Sequence, residues 1–364
     1  MKKQMTIFKK CFNIIVLFMF TSFYAQVHDK SWRSITENKD ENWFATNEAK
    51  EIAENVLLYQ REIGGWPKNI QMQNLLSIEE KQKLVALKSD AIECTTDNGA
   101  TCQEMLYLSK MYKKNADERY KTAFLKGIDY LLEAQYDNGG WPQFYPLMKG
   151  YYTHITYNDD SMANILGLFK EIKNHTNYYS ISPSPEVVKK IESAFEKGID
   201  CILKTQYKQN GELTGWCAQY NEVTLLPANA RAYELISLSG KESVKIVLLL
   251  MAIEHPSKPI VDAVNGAVRW FEKTKLVGIK LETEVNEAGK KNRVVVESKD
   301  AEPLWARFMN IDTNAPFFCD RNGIKKATLA EIGFERRNGY AWYTDDAKAV
   351  LKKYPIWKNQ INNH

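Results

Sequence analysis

Apolar residues fall at i, i+4, i+7 and i+8 in Phe124, Ile128, Leu131 and Leu132, and again 71 residues later in Phe195, Ile199, Ile202 and Leu203. That spacing lays one apolar stripe along a helix. Gly127-Ile128-Asp129 recurs as Gly198-Ile199-Asp200, and Gln135-Tyr136 as Gln206-Tyr207, so the similarity is a true repeat. Val56, Leu57 and Gln60 hold the matching places 75 residues before Leu131, Leu132 and Gln135. Each helix runs into a glycine-led loop: Gly64-Gly65-Trp66-Pro67, Gly139-Gly140-Trp141-Pro142 and Gly215-Trp216-Cys217. No single helix, loop and helix can bury its stripe alone, so three copies must pack on one another. The pattern predicts an all-α fold, an (α/α)3 toroid with its Gly-Trp loops gathered at one end. There each tryptophan either lines a cleft or plugs the core.

The remaining chain is less regular. Ser182-Pro183-Ser184-Pro185 marks a loop, and Pro185 suits the first turn of the helix that follows. Residues 277–285 and 293–298 read as a β-hairpin, with Val294, Val295 and Val296 strand-like. From Pro303 the pattern turns aromatic and irregular, ending in a helix near Asp345 to Lys353 that Thr344 is placed to cap. No long linker or low-complexity tract interrupts residues 26–364, which predicts one domain.

Composition places the chain among ordinary globular proteins, with 44% hydrophobic and 26% charged residues in 364. Residues 1–25 read as an export signal: Lys2, Lys3, Lys9 and Lys10 lead an apolar run from Phe12 to Phe20 that is too short to span a bilayer. Their removal takes four lysines and no acid, so the formal charge of +4 falls to balance. A neutral export product has no clustered cations for nucleic acid, and no membrane partner is expected after cleavage. Cys94, Cys102, Cys201, Cys217 and Cys319 then remain, an odd number without a C-x-x-C pair. Free buried thiols are expected, rather than zinc or a disulfide framework. A monomer is the default.

Polar clusters follow the tryptophan loops: Thr96-Asp97-Asn98-Gly99, His154 to Ser161, and Gln219 to Thr224 with Arg231 beyond. Helix capping accounts for one polar residue per helix. It does not account for neighbours such as Asp97-Asn98 and Asp159-Asp160. Adjacent carboxylates repel unless a positive charge sits beside them, and calcium prefers carboxylate and amide oxygens. Arginines stand in aromatic company at Arg307, Arg321, Arg336 and Arg337. Structural ion pairing is one reading of them; a receptor for a sugar acid is the other, since a guanidinium matches a carboxylate bidentately.

Six segments resemble the pectate lyases of polysaccharide lyase family 10. They are residues 64–69 (GGWPKN), 97–101 (DNGAT), 139–146 (GGWPQFYP), 154–160 (HITYNDD), 230–235 (ARAYEL) and 335–340 (ERRNGY), in family order over nearly the whole exported chain. The resemblance implies an (α/α)3 toroid and calcium-assisted β-elimination of polygalacturonate, an acidic pectic polysaccharide. Position by position, it makes Asp97, Asn98 and Asp159 calcium ligands, with Asp160 an alternative to Asp159. Arg231 and Arg307 become clamps on substrate carboxylates, and Arg321 the Brønsted base that takes the C5 proton. Lys68, Trp66, Trp141 and Trp216 are further candidates for substrate contact. The chain departs from the family pattern at Tyr220-Asn221, where His-Asp is usual, at Asn229, where Lys is usual, and at Asp320-Arg321-Asn322. Two rival functions use the same residues. An inverting glycoside hydrolase would draw two carboxylates from Asp97, Asp159, Asp160 and Glu222, and a non-catalytic pectin-binding protein would need only the tryptophan loops.

Overall fold

A computed structural model describes residues 27, 29–91, 93–174, 180–285 and 287–362. The expected export signal lies outside the described residues. Helices α1 Trp32–Thr36, α2 Asn47–Tyr59, α3 Ile78–Ala86, α4 Cys102–Asn115, α5 Glu118–Glu133, α6 Ser161–Lys173, α7 Pro185–Thr205, α8 Glu242–Met251, α9 Lys258–Lys273, α10 Phe334–Gly339 and α11 Ala347–Asn362 carry the chain. None of the described helices is long and apolar enough to cross a membrane. The expected all-α class holds, with a hairpin and an irregular C-terminal part. By its internal contacts the chain groups into two compact units: residues 1–95, 100–131 and 174–184, and residues 96–99, 132–173 and 185–364.

The repeat has a physical basis in its glutamines and glycines. Gln60 Nε2 donates to Gly64 O and Ala123 O, Gln135 Nε2 to Gly139 O and Ala194 O, and Gln206 Nε2 to Thr214 O and Ala263 O. Each amide thus ties its own loop to the next repeat's helix. Gly64 and Gly139 sit at φ +102° and +91°, and a Cβ on either would lie within about 2.1 Å of a helix carbonyl, that of Lys126 or Lys197. Only glycine tolerates both demands.

The loop tryptophans are plugs. Trp66, Trp141 and Trp216 are all 0% exposed. Trp66 Nε1 donates to Val56 O at 2.8 Å and Trp216 Nε1 to Ile202 O at 2.8 Å, bonds that close each loop onto the helix before it. The expectation that these indoles bind sugar is therefore corrected. With no open face, they fix the loops from behind, and the sequence signal reported packing.

The other expectations hold with small shifts. The hairpin pairs β5 Ile279–Val285 with β6 Lys291–Glu297 in antiparallel register, Ile279 facing Glu297 and Val285 facing Lys291. Pro185 opens α7. The last helix runs well past Lys353, through Pro355, and Thr344 Oγ1 accepts from Asp346 N just before it. All five described cysteines are free and buried.

One buried acid in the first unit makes a testable prediction. Glu104 of α4 is 2% exposed, takes Trp32 Nε1 at 2.7 Å, and leaves Oε2 without a hydrogen-bond partner. Burial pushes its carboxyl up to about 7. A raised acid favours the fold while protonated, so stability is fullest below the unfolded value, declines as pH rises from about 4.5 to 7, and then levels. Glu104→Gln keeps an acceptor for Trp32 without the charge. The variant is expected to gain on the order of 3 kcal/mol over wild type at pH 8 and little at pH 4, read by urea unfolding. Equal pH slopes in the two proteins would refute the assignment.

Candidate active site

The site residues of the second unit rest on two short turns. Asp97–Gly99 and Asn158–Asp160 are single 3-10 turns that pack against one another, tied by Thr96 Oγ1 and Ser161 Oγ at 2.6 Å. In each the middle residue is left-handed: Asn98 at φ 53°, Asp159 at φ 49°, with Asp160 following at φ 64°. Asn and Asp tolerate this region better than other non-glycine residues. These are therefore turns that aim side chains, where simple N-caps were one sequence-level reading. Strand β1 Ile155–Thr156, paired with β4 Gln219–Tyr220, anchors the second turn.

The turns that carry Asp97 and Asn98 and that carry Asp159 and Asp160 thus pack on one another. Asp97 is 2% exposed, and its Oδ2 takes Gln143 Nε2 at 2.7 Å. Asp159 Oδ2 takes Asn158 Nδ2 at 2.7 Å, and its Oδ1 faces Arg307 Nη2 at 3.2 Å and Lys241 Nζ at 3.6 Å. Burial pushes Asp160 up to about 6, only partly offset by Lys245 and Lys241. Among the described residues no three His, Cys, Asp or Glu side chains form a ready metal cage. The donors are instead mixed carboxylate and amide oxygens, which suit a hard cation such as calcium. Such a cation also relieves the charge burden of Asp159 and Asp160.

Arg307 stands behind this cluster. Strand β7 Trp305–Ala306 pairs with β10 Tyr343–Thr344, and Arg307 N bonds Trp342 O, so the side chain points to Asp159. Its Nη2 donates to Glu242 Oε1 at 2.6 Å, Asn158 Oδ1 at 2.9 Å and Asp159 Oδ1 at 3.2 Å. Glu242 is 1% exposed and also accepts from Ser239 Oγ. Burial is the largest single influence and works against the Arg307 charge, but Glu242, Tyr340 and Asp159 together outweigh it and hold the proton more tightly than usual. At 4% exposure Arg307 presents little surface as a carboxylate clamp; its nearest partner is Glu242, with Asn158 and Asp159 beyond.

The other arginines share aromatic faces. Tyr340 carries Arg307 at 4.6 Å and Arg336 at 4.3 Å from its ring centroid. Tyr233 carries Arg336 at 4.5 Å, Arg231 at 5.0 Å and Arg321 at 5.3 Å. A ladder of four guanidiniums and two rings therefore connects Arg321 to Asp159. The hydrogen bonds of Arg321 run to Glu335, Tyr233 and Asp320. Arg336, for which structural ion pairing and a sugar-acid receptor were both open, sits at the centre of the ladder, 5% exposed with Nε and Nη2 lacking hydrogen-bond partners. Its neighbour Arg337 bonds Asn292 and backbone carbonyls. Tyr340 follows α10 as an extended residue, so its contact with Arg336 comes from the chain reversal after the helix and not from helical spacing.

Arg231 and Arg321 are exposed and alike. Arg231 grips Glu234 through Nε at 2.8 Å and Nη2 at 2.5 Å, and Arg321 grips Glu335 through Nε at 2.9 Å and Nη2 at 2.8 Å. Each carboxylate raises the affinity of its arginine for the proton. Arg321 occupies the turn between β8 Phe318–Cys319 and β9 Lys325–Lys326. The departure at Asp320 has a local purpose there, its carboxylate accepting Arg321 N and Gly333 N.

The remaining departures are structural too. Tyr220 is 1% exposed and takes Cys217 N on its hydroxyl; Asn221 Oδ1 accepts Val223 N and Thr224 N; Asn229 Oδ1 accepts Ile236 N. Glu222, a candidate of the hydrolase reading, is bound by Thr153 Oγ1 at 2.8 Å and His154 Nδ1 at 3.0 Å. Lys68 lies in the first unit, half-buried.

Known proteins share this construction. A family model described as pectic acid lyase matches residues 60–351. A family 10 polysaccharide lyase from Cellvibrio cellulosa is 33% identical, with 88% of this chain and 98% of that one covered at a TM-score of 0.74. A mutant of a family 10 polysaccharide lyase from the same organism, in complex with trigalacturonic acid, is 34% identical, with 86% and 96% covered at 0.76. No curated protein sequence matches. With four-fifths of its length matched by the family model and its fold shared with two family 10 structures, the chain belongs to the pectic acid lyase family and is a polysaccharide lyase enzyme.

Proposed function

We propose that this lyase cleaves polygalacturonate by β-elimination, with calcium held by Asp97, Asn98 and Asp159 and with Asp160 as a further donor. The observation that carries the reading is the meeting of two acidic turns with four ring-held guanidiniums, charges suited to a cation and a polyanion together. When bound, calcium withdraws charge from a galacturonate carboxylate and so acidifies the C5 proton. Arg231 orients a substrate carboxylate, Arg307 holds the Asp159 side chain, and the buried Arg336 adds positive charge behind the Tyr233 and Tyr340 rings. Once the substrate has displaced Glu335 and the Arg321 guanidinium has released a proton to solvent, neutral Arg321 takes the C5 proton; the C4–O bond then breaks, the departing oxygen is protonated from solvent, and a 4,5-unsaturated sugar remains. Arg231 meets the same geometric description as Arg321, through its Glu234 pair and its place on the Tyr233 ring, so it is the rival for the base. The mature enzyme acts outside the cell membrane after loss of residues 1–25.

The test is an ultraviolet assay on polygalacturonate with calcium or a chelator. Absorbance from the new conjugated double bond is expected to rise with calcium and to stop on chelation. Chain shortening that continues in chelator without absorbance would favour the hydrolase. Binding without cleavage under either condition would favour the pectin-binding reading.

A further inference from the structure

With the loop tryptophans buried, the exposed aromatic surface of the site lies elsewhere. Gly150, at φ +95°, opens the turn Tyr151–Thr153 and sets two tyrosines side by side. Their ring centroids are 4.1 Å apart at 38°. The inner ring, Tyr152, rests edge-on against Phe144 at 5.2 Å, and Phe144 is 8% exposed. Three rings therefore rise from the core to the surface, with Tyr151 outermost and both tyrosines partly exposed.

This stack touches both halves of the site. Gln143 N donates to Tyr152 O at 3.0 Å, while Gln143 Nε2 donates to Asp97 Oδ2 at 2.7 Å, so one residue fastens the stack to the acidic turns. At the other end burial first, and then a hydrogen bond with Tyr152, push the Tyr151 phenol up, with the charges of Arg231 and Glu234 as the weakest influences on it. Neither tyrosine is needed for charge neutralisation, and Tyr151 has only its neighbour's ring to pack on among the described ring contacts.

We infer that Tyr151 and Tyr152 form a sugar-stacking subsite, which takes the C–H face of one hexuronate ring on Tyr151 while Arg231 receives that ring's carboxylate. The inference deepens the proposed function and rests on it. An aromatic ring offers a large, rigid apolar face at low entropic cost, and its negative π surface suits the polarised C–H bonds of a pyranose. A carboxylate in the ring plane reaches a guanidinium beside the stack rather than beneath it. Contact of this kind is made equally in ground and transition states, so it governs KM more than kcat.

The experiment compares wild type, Tyr151→Ala, Tyr151→Leu and Tyr151→Phe on polygalacturonate and on hexagalacturonate, with thermal melts as controls for folding. Expected are a KM raised about tenfold in the alanine and leucine variants, a kcat within about twofold of wild type, and near-complete retention in Tyr151→Phe. Unchanged KM in Tyr151→Leu overturns the subsite. Loss in Tyr151→Phe equal to that in Tyr151→Ala also overturns it, because the hydroxyl would then be the contact. A wild-type enzyme that forms no unsaturated product defeats the proposed function itself, a result distinct from either.

Discussion

Arg321→Ala is expected to lower kcat on polygalacturonate by about 10²–10⁴-fold, the range that a positioned proton-transfer group contributes. KM should change far less, because the exposed Arg231 remains available to a substrate carboxylate. The expectation has a physical difficulty that makes it informative. In the structure Arg321 is exposed and paired bidentately with Glu335, which holds its proton more tightly than a free arginine would. A base must first lose that partner. Glu335→Gln removes the competing charge, so the rise of kcat with pH should move to lower pH, with Arg321→Lys failing to restore the rate. Arg231→Ala is the necessary companion. If it abolishes turnover while Arg321→Ala only raises KM, the roles of the two exposed guanidiniums are exchanged.

Arg307→Met is expected to destabilise the protein by about 3–5 kcal/mol, since Glu242 would be left as a charged, 1% exposed side chain without its cation. The loss should appear as a lower urea midpoint at unchanged slope. Activity should fall as well, because the same Nη2 that neutralises Glu242 also holds Asn158 and Asp159. The two effects can be separated. Adding Glu242→Leu to Arg307→Met removes the orphaned charge and should restore most of the stability, while the activity defect remains because Asp159 still lacks its guanidinium. Full recovery of both would show that the pair only supports the fold.

The repeat was legible because its chemistry is local. Gln60, Gln135 and Gln206 each need a fixed distance to a loop carbonyl and to the next helix, so their spacing survives in the chain. The same holds for Gly64 and Gly139, where any side chain strikes a carbonyl. What the tryptophans do was not legible. A Gly-Trp loop that lines a cleft and one that plugs a core have the same sequence, and only burial distinguishes them. The acidic turns were found through their adjacent pairs, Asp97-Asn98 and Asp159-Asp160, although their left-handed geometry was not. Glu242, and the central place of Arg336, escaped for a further reason. Glu242 is 65 residues from Arg307, and Arg336 sits among rings contributed by Tyr233, Tyr340 and Trp342. Long-range ion pairs and cation–ring contacts leave no periodic trace, so residues of this kind appear in a sequence only as ordinary helix charges.

The mass of the products tests the central claim most directly. Hexagalacturonate incubated with the enzyme and calcium should give two fragments whose masses sum to that of the substrate, one carrying an ultraviolet-absorbing unsaturated end. Fragments whose masses sum to the substrate plus one water, with no absorbance, would contradict elimination and assign the acidic turns to hydrolysis.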